Sequence, residues 1–418
     1  MTILPILLAA CLAAAATSPP PAALTLEEAV AAARARSPRM EAASALVAGA
    51  REASRLAGSW PNPAVEVSTE NITSGGWYWS PPADPAAAPG LDAFAVLSQS
   101  LELGGKRGAR RALAGAEAGA AEASASQVER SLVLDTVRLY VDALRARETL
   151  AALNAHREAF DVLQQAMASR VREGVAAEAD LAKFRAESGR LQALEARTRI
   201  EMDRSLALLG ALIGDPAPVA APRLVEPKGW PAIAGEVEAL ASAAVERSPD
   251  VRAARALEAR SAGALKLERS RGVPDLTVSG GYKRTAGFDT AVLGVAMAIP
   301  IFDRNRAAVA MAAGEARASA SQRAAVEARV AAEVRASLEA ARLLDQRARL
   351  ADEEMLRPAE VVRNAARAAF NEGAANILSL VDAERVYLEA QREALQVKLD
   401  ALAAGIETRL LLGEEILR

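Results

Sequence analysis

The residue types that carry most protein chemistry are scarce in this chain. His156 is the one histidine and Cys11 the one cysteine among 418 residues, and the seven methionines are scattered. A transition-metal site needs several nitrogen or sulfur ligands that converge, and the sequence offers no such cluster. It also offers no nucleophile paired with a general base and no cofactor loop. We therefore predict no catalytic residue, no metal site, no cofactor and no enzyme activity.

The segment Gly104-Gly105-Lys106-Arg107 combines glycines with cations, which is the composition of a phosphate-binding loop. It lacks the spacing of the P-loop, in which four residues separate the two glycines and a lysine follows. We interpret the segment as a strand-to-helix turn whose cations face water or lipid headgroups.

An apolar run at the N-terminus predicts export. Residues 3–16 have the composition of a signal-peptide core, so we predict a signal peptide over residues 1–16. Cys11 follows Leu8-Ala9-Ala10, a pattern cut by lipoprotein signal peptidase, and cleavage there would leave Cys11 to carry a lipid. The alternative is later cleavage, between Ala13 and Thr17, which would remove Cys11.

Composition indicates long helices and no nucleic-acid partner. Alanine makes up about a quarter of the chain and aromatic residues only 3%, with arginine, glutamate and leucine abundant. This composition is typical of long helices and coiled coils. The net charge of -3 is too balanced to indicate binding to nucleic acid. No run of 18 or more uncharged apolar residues is present, so no transmembrane helix is predicted.

Several motifs occur twice at constant offsets. Arg36-Ser37-Pro38 returns as Arg247-Ser248-Pro249, 211 residues later. Further along, Gly174 returns as Gly373 and Gly214 as Gly413, both 199 residues later. Two constant offsets with one change between them indicate a tandem duplication. We divide the chain accordingly: a signal peptide (1–16), a linker (17–24), a first repeat (25–214), a proline-rich connector (215–235), a second repeat (236–413) and a tail (414–418).

In each repeat the polarity period changes from about 3.6 to 2 after a proline-containing break. The alternation predicts strands at 65–70 and near 94–103, and again at 276–279 and near 292–301. Alternation over about ten residues fits a transmembrane β-barrel with one face on lipid. Two hairpins supply only four strands, too few to close a barrel, so we expect subunits to share one.

Long helices follow the strands. The proline-free segment 106–173 predicts one helix of about 100 Å, and 306–371 predicts its counterpart, kinked at Pro358. Return helices then run to Gly214 and to Gly413. Because irregular backbone is not tolerated in lipid, only the barrel would cross the membrane, and the helices would lie in the periplasm.

The junctions between strands and helices carry a family resemblance. Leu101-Glu102-Leu103-Gly104-Gly105-Lys106-Arg107 has its counterpart in Pro300-Ile301-Phe302-Asp303-Arg304-Asn305-Arg306. Together with Leu26-Glu27-Glu28-Ala29 and the Arg-Ser-Pro helix ends, these motifs resemble those of TolC-like outer membrane efflux proteins over essentially the whole mature chain. The resemblance is closest to the CzcC-like branch, which serves heavy-metal efflux.

The resemblance implies a mainly α fold with a β-barrel part. Three chains would form a TolC-like homotrimer, in which long antiparallel helices build a periplasmic α-barrel. Four strands per subunit would build a shared 12-stranded barrel in the lipid of the outer membrane. The trimer would dock to a periplasmic adaptor (membrane fusion) protein and an inner-membrane pump of the resistance-nodulation-division type. It would be a passive exit duct, here for heavy-metal cations.

The resemblance also implies roles for particular residues. Asp180 and Asp382 match family positions that line or lock a narrow periplasmic pore, where rings of carboxylates would attract cations. Ser379 stands where the family often has a second aspartate, and Ala375 where some members have a basic gate partner. The constriction is therefore expected to carry less charge than in those members, and the residues for a gate locked by ion pairs are incomplete. The alternative is that each aspartate is a solvated helix charge.

Two glycine-containing turns, which we call the first and second tips, match the family's docking points for the adaptor. Their alternative interpretation is a plain helix-helix turn in which glycine takes a positive φ. The residues concerned are Arg172, Glu173, Gly174 and Val175 in the first tip, and Asn371, Glu372, Gly373 and Ala374 in the second.

Three other functions remain open at this point. A pore of this kind could instead export drugs or other small molecules, or serve as a type I secretion channel. A protein of a different class, a periplasmic coiled-coil adaptor without a pore, would share the long helices. The two strand hairpins argue against such an adaptor, which would not need them.

Overall fold

The computed structural model describes residues 23–70, 92–215, 219–221, 224–227, 233–285 and 288–414. Cys11, the predicted signal peptide and residues 17–22 of the predicted linker lie outside these ranges. The same order of elements occurs twice along the chain: two short helices, two strands and two long helices. This repetition agrees with the duplication. The first series is α1 Leu26–Arg36, α2 Pro38–Leu56, β1 Ala64–Glu70, β2 Asp92–Leu101, α3 Lys106–Arg172 and α4 Glu178–Leu212. The second is α5 Val237–Arg247, α6 Pro249–Arg271, β3 Leu276–Thr285, β4 Phe288–Met297, α7 Arg306–Ala351, α8 Arg357–Asn371 and α9 Ile377–Leu411.

Helix α1 begins and ends at signals in its own sequence. The Thr25 hydroxyl accepts from the Glu28 amide at 3.2 Å, and a Glu28 carboxylate oxygen accepts from the Thr25 amide at 2.9 Å, a capping box. The helix ends at Arg36, because Ser37 is extended and Pro38 begins the next helix. A residue before proline is disfavoured in the helical region. The same break separates α5 from α6 at Ser248.

The long helices differ between the repeats. Helix α3 runs without interruption for 67 residues. Its counterpart is interrupted by a π-helix, Asp352–Leu356, between α7 and α8. Pro358 is the second residue after the π-helix. Proline has no backbone N–H to donate and its ring clashes with the carbonyl four residues earlier, so a wider turn there relieves the clash. No helix in the described ranges is long and apolar enough to span a membrane.

The chain forms two compact units. The first contains the described residues of Met1–Ala42, Val128–Ser248 and Val330–Arg418. One of its two apolar cores surrounds Tyr140, which is fully buried. The Tyr140 hydroxyl lies 2.7 Å from the Leu24 carbonyl oxygen and accepts from the Val225 amide at 2.9 Å, so this buried polar atom is satisfied.

The second core of this unit lies beside the tips. Phe160 of α3 and Phe184 of α4 meet edge to face, with ring centroids 5.1 Å apart. Leu380 and Leu388 of α9 complete it, and all four side chains are at most 1% exposed. This core joins the helices that enter and leave both tips.

The second unit, Ala43–Gln127 and Pro249–Arg329, contains an antiparallel sheet in the order β1-β2-β3-β4. Strand β4 starts at Phe288 and ends at Met297, four residues earlier than predicted at each end. The apolar pattern continues through Ile299 and Ile301, but Pro300 between them cannot donate to a ladder. The Ile301 amide instead bonds to the Ile299 carbonyl at 2.9 Å, a turn.

The register separates the side chains of this sheet into two faces. Val65 pairs with Leu97, Leu97 with Gly280, and Gly280 with Leu293, so these positions share one face. That face carries exposed apolar side chains: Val65 71%, Val67 73%, Leu97 53%, Leu293 88% and Val295 71%. The other face is mostly polar or small, although it also carries Phe94, Val96, Phe288 and Val292. Its polar and small residues include Glu66, Ser68, Glu70, Ser98, Ser100, Thr277, Ser279, Gly281, Lys283, Thr290 and Gly294.

The junction of β2 with α3 corrects one prediction. Lys106 does not face water: its side chain is 12% exposed and its ammonium lies 2.7 Å from the Asp275 carboxylate. Arg107 is exposed, with its guanidinium 4.9 Å from the centroid of the Trp60 ring. Gly104 has φ +67°, and a Cβ there would lie 2.6 Å from the Val273 side chain. The glycines therefore make a tight turn, as predicted.

Candidate functional site

The first tip is a glycine-terminated helix end. The Gly174 amide donates to the Val171 carbonyl at 3.0 Å, and the Val175 amide donates to the Arg170 carbonyl at 2.9 Å. These are the two hydrogen bonds of a Schellman motif. This motif requires a positive φ, and Gly174 has φ +75°. Glu173 and Val175 are exposed, Val175 by 68%. The interpretation of this segment as a turn is confirmed.

The second tip repeats this geometry. The Gly373 amide donates to Phe370 at 3.1 Å and the Ala374 amide to Ala369 at 2.8 Å, with Gly373 at φ +76°. The four predicted docking residues of this tip are all exposed: Asn371, Glu372, Gly373 and Ala374.

The two tips differ in how the next helix begins. Asn376 caps α9, because its side-chain oxygen accepts from the Ser379 amide at 3.0 Å and from the Ser379 hydroxyl at 3.1 Å. Ala177 stands at the corresponding position before α4 and makes no side-chain cap. The Ser379 hydroxyl is therefore engaged in its own helix start.

Ser379 and Asp382 lie three residues apart on one exposed stripe of α9. The residues between and beside them, Leu380, Val381 and Ala383, are buried. Asp382 has no hydrogen bond or ion pair to another side chain in the described part of the chain. An exposed, unneutralised carboxylate can act on a passing cation.

Asp180 has a different setting in the first turn of α4. Its side chain is 30% exposed, and it accepts from the Lys183 ammonium at 3.2 Å. A carboxylate at a helix N-terminus is also favoured by the helix dipole. Asp180 is thus partly neutralised within its own helix, whereas Asp382 is not.

A buried ionic cluster near the tips was missed by the sequence-based analysis. Glu384, two residues after Asp382, is 1% exposed; it pairs with Arg367 of α8 and lies 3.5 Å from His156 of α3. The available signal was a glutamate four residues after Leu380, on the buried face of α9. None of the described residues form a group of three or more histidine, cysteine, aspartate or glutamate side chains placed to hold a metal ion.

Comparison with known proteins gives relatives along most of the chain. The cobalt-zinc-cadmium resistance protein CzcC of Cupriavidus metallidurans is 28% identical over 329 residues, 76% of this chain and 76% of that protein. The nickel and cobalt resistance protein CnrC of the same organism is 29% identical over 276 residues, 65% of this chain and 62% of that protein.

A solved structure shows the same fold. The outer-membrane channel OprN superposes with a TM-score of 0.76 at 20% identity, covering 93% of this chain and 89% of OprN. The model of the outer membrane efflux protein family matches residues 29–215 and 240–414, which are most of both repeats. With these matches and a mainly helical fold that carries one four-stranded sheet, the chain belongs to the outer membrane efflux protein family.

Proposed function

We propose that three copies of this chain form an outer-membrane exit channel. Each copy contributes four strands to one 12-stranded barrel, and the long helices form a periplasmic α-barrel. The channel conducts substrate passively after an inner-membrane pump of the resistance-nodulation-division type and a periplasmic adaptor hand it over. Family membership and the fold, which are those of passive channels and not of enzymes, support this proposal.

The observation that best supports the proposal is the difference between the apolar face and the mostly polar face of the sheet. A sheet whose exposed side chains include Leu293 and Val67 would be unfavourable in water and favourable against lipid. Strands β1 and β4 are its outer strands, and each has one edge unpaired within the described ranges. Unpaired backbone groups are costly in a bilayer, and four strands are too few to close on themselves. Closure with neighbouring copies removes the edges and turns the polar face toward a lumen.

The tips supply the remaining parts of the proposal. The exposed residues of the first tip, Arg172–Val175, and of the second, Asn371–Ala374, form the surface that meets the adaptor. Three copies of Asp382 line the pore constriction beside Ser379. Asp180 also lines it, with its charge moderated by Lys183.

The cargo proposed is heavy-metal cations. Two relatives are named for resistance to cobalt, zinc, cadmium and nickel, and they match across both repeats of this chain. An unneutralised ring of Asp382 carboxylates would raise the local concentration of cations. The chain needs no chelating site for this role, because a duct must release what enters it.

Single-channel recording in planar bilayers tests the channel itself. The purified full-length protein is expected to insert as a trimer and to give discrete, cation-selective conductance steps. The mass of the detergent-solubilised particle, from light scattering, checks the number of copies. A protein that stays monomeric and gives no conductance would indicate a periplasmic tether and would refute the proposal.

Growth of a deletion strain tests the cargo. Loss of the gene is expected to lower tolerance to zinc, cobalt, cadmium or nickel and to leave antibiotic tolerance unchanged, with complementation by the intact gene as the control. Unchanged metal tolerance together with increased antibiotic sensitivity would assign the channel to small-molecule efflux.

A further inference from the structure

Four helices of one subunit meet at a buried group of ionisable side chains. Glu384 of α9 is 1% exposed, and one of its carboxylate oxygens accepts a hydrogen bond from the Arg367 guanidinium of α8. Its other oxygen lies 3.5 Å from the His156 Nδ1 of α3 and has no hydrogen-bond partner of its own. A buried carboxylate with incomplete hydrogen bonding lowers the stability of the fold, so its presence here needs a functional explanation.

His156 is enclosed by aromatic and aliphatic side chains. Its side chain is 5% exposed, and its ring stacks on Phe160 at 5.8 Å between centroids. Phe160 in turn contacts Phe184 of α4. The imidazole therefore belongs to the apolar core that joins the tip helices, and a charge on it would be poorly solvated.

The charged groups around His156 come from all three facing helices. Arg367 lies on α8 and Glu384 on α9, while α4 presents Glu187 and Arg190, which pair with each other at 2.8 Å. Two carboxylates face two guanidinium groups, so the surroundings are balanced while His156 is neutral. Protonation of His156 would leave one uncompensated positive charge in the core.

The cluster is close to the second tip along both helices that form it. Arg367 lies four residues before Asn371, the last residue of α8, and Glu384 lies seven residues after Ile377, the first of α9. Seven residues correspond to about 10 Å of helix. Contacts made here therefore fix how α8 and α9 lie against α3 next to the constriction.

We propose that His156, Glu384 and Arg367 form an acid-sensitive latch, which holds α3, α8 and α9 together while His156 is neutral and releases them when it is protonated. The latch rests on the proposed channel function, because it controls the width of the constriction that Asp382 lines. Release lets α8 and α9 move away from α3, which hydrates His156 and widens the pore.

The direction of the pH effect follows from burial. Desolvation lowers the pKa of His156 from its ordinary value of 6.5, and this effect outweighs the attraction of Glu384. The packed tip thus binds fewer protons than the released tip, so its stability rises with pH. The stabilisation is fully present well above pH 6.5 and is lost as the pH falls below that value.

Single-channel recording at two pH values tests the latch in the full-length protein. Open probability is expected to rise by at least about threefold from pH 7.5 to pH 5.5, on either side of the ordinary histidine pKa. His156→Gln removes the titration and His156→Phe also keeps the stacked ring; both variants are expected to lose the response. Glu384→Gln leaves Arg367 without its anion and is expected to open at both pH values, whereas Glu384→Asp is expected to restore part of the closure.

Hydrogen exchange supplies a readout that needs no pore. Amides of residues 368–380 are expected to exchange faster at pH 5.5 than at pH 7.5, after correction for intrinsic exchange, in the wild type but not in His156→Gln. A wild-type protein with no conductance at either pH would refute the channel, and the exchange data would still decide the latch. Equal wild-type protection at both pH values, or an acid response that survives both His156 substitutions, would overturn it.

Discussion

The Arg170 guanidinium lies over the Phe370 ring, 5.7 Å from the ring centroid, and thereby joins the end of α3 to the end of α8. Each residue also sits in the last turn before a tip glycine, and its carbonyl accepts one of the Schellman bonds there. The Arg170 and Phe370 side chains thus connect the two tips, and the backbone carbonyls of the same two residues complete the Schellman motifs. A substitution that loosens one tip should therefore also loosen the other.

A double-mutant cycle measures this connection. Arg170→Ala and Phe370→Leu should each lower the protection of amides in both tips, and their combined effect should be smaller than the sum. The difference should be about 0.5–1 kcal/mol, as expected for a partly exposed cation–π pair. Hydrogen exchange followed by mass spectrometry gives both quantities. Arg185→Ala, an exposed arginine on α4, is the control and should leave the second tip unchanged.

The tip glycines should resist substitution. Gly373→Ala places a Cβ on a residue with φ +76° and should destabilise the second tip by about 1–2 kcal/mol, although the Cβ meets no atom within 4 Å. Gly189→Ala, inside α4 with equally open surroundings, should be neutral or stabilising because alanine favours helix. Local exchange rates at each site provide the comparison. Equal effects of both substitutions would contradict the role assigned to the positive φ.

The charge on the exposed stripe of α9 should set ion selectivity. Asp382→Ala should weaken the preference for cations, and Ser379→Asp should strengthen it by adding a second carboxylate three residues away. The reversal potential in a salt gradient reports both changes. Asp180→Ala should act less, since Lys183 already offsets that charge. An unchanged reversal potential in Asp382→Ala would count against the constriction.

The two faces of the sheet should respond oppositely to an added charge. Leu293→Arg should oppose membrane insertion by about 2–4 kcal/mol near the middle of the bilayer. Ser279→Arg lies on the opposite face and pairs with Gly294, the residue after Leu293, so it tests nearly the same depth. It should insert normally and lower conductance. The amount of heat-modifiable trimer in outer-membrane fractions distinguishes the two, and equal loss in both would contradict the assignment of faces.

Local sequence signals predicted the fold well. The mainly helical fold with four strands is confirmed. Its helices and strands could be predicted because proline, serine and glycine act on the backbone within one or two residues. The capping box at Thr25 and the glycine turns depend on such short-range rules. The domain boundaries stay predictions. The docking role of the tips and the pore role of Asp382 also stay predictions, because they depend on contacts with other chains.

The predictions failed where contacts between distant parts of the chain determine the surroundings of a charged side chain. Lys106 looked like a surface cation, and only the fold brings Asp275 of the other repeat to it. Glu384 was missed for the same reason, because His156, which lies 3.5 Å from it, comes from the other repeat. Periodicity identifies the buried face of a helix, but it does not tell which charges are paired on that face.

The apolar face of the sheet has a consequence for how the proposed assembly comes into existence. An isolated subunit would carry through water that face and the outer edges of β1 and β4, which are unpaired among the described residues. Such a surface is a template for aggregation. Its sheet would have little stability alone, so apparent stability would depend on the concentration of subunits. Folding of the strands, association of three chains and entry into lipid would then be one event, and the newly exported chain would need a chaperone until that event occurs.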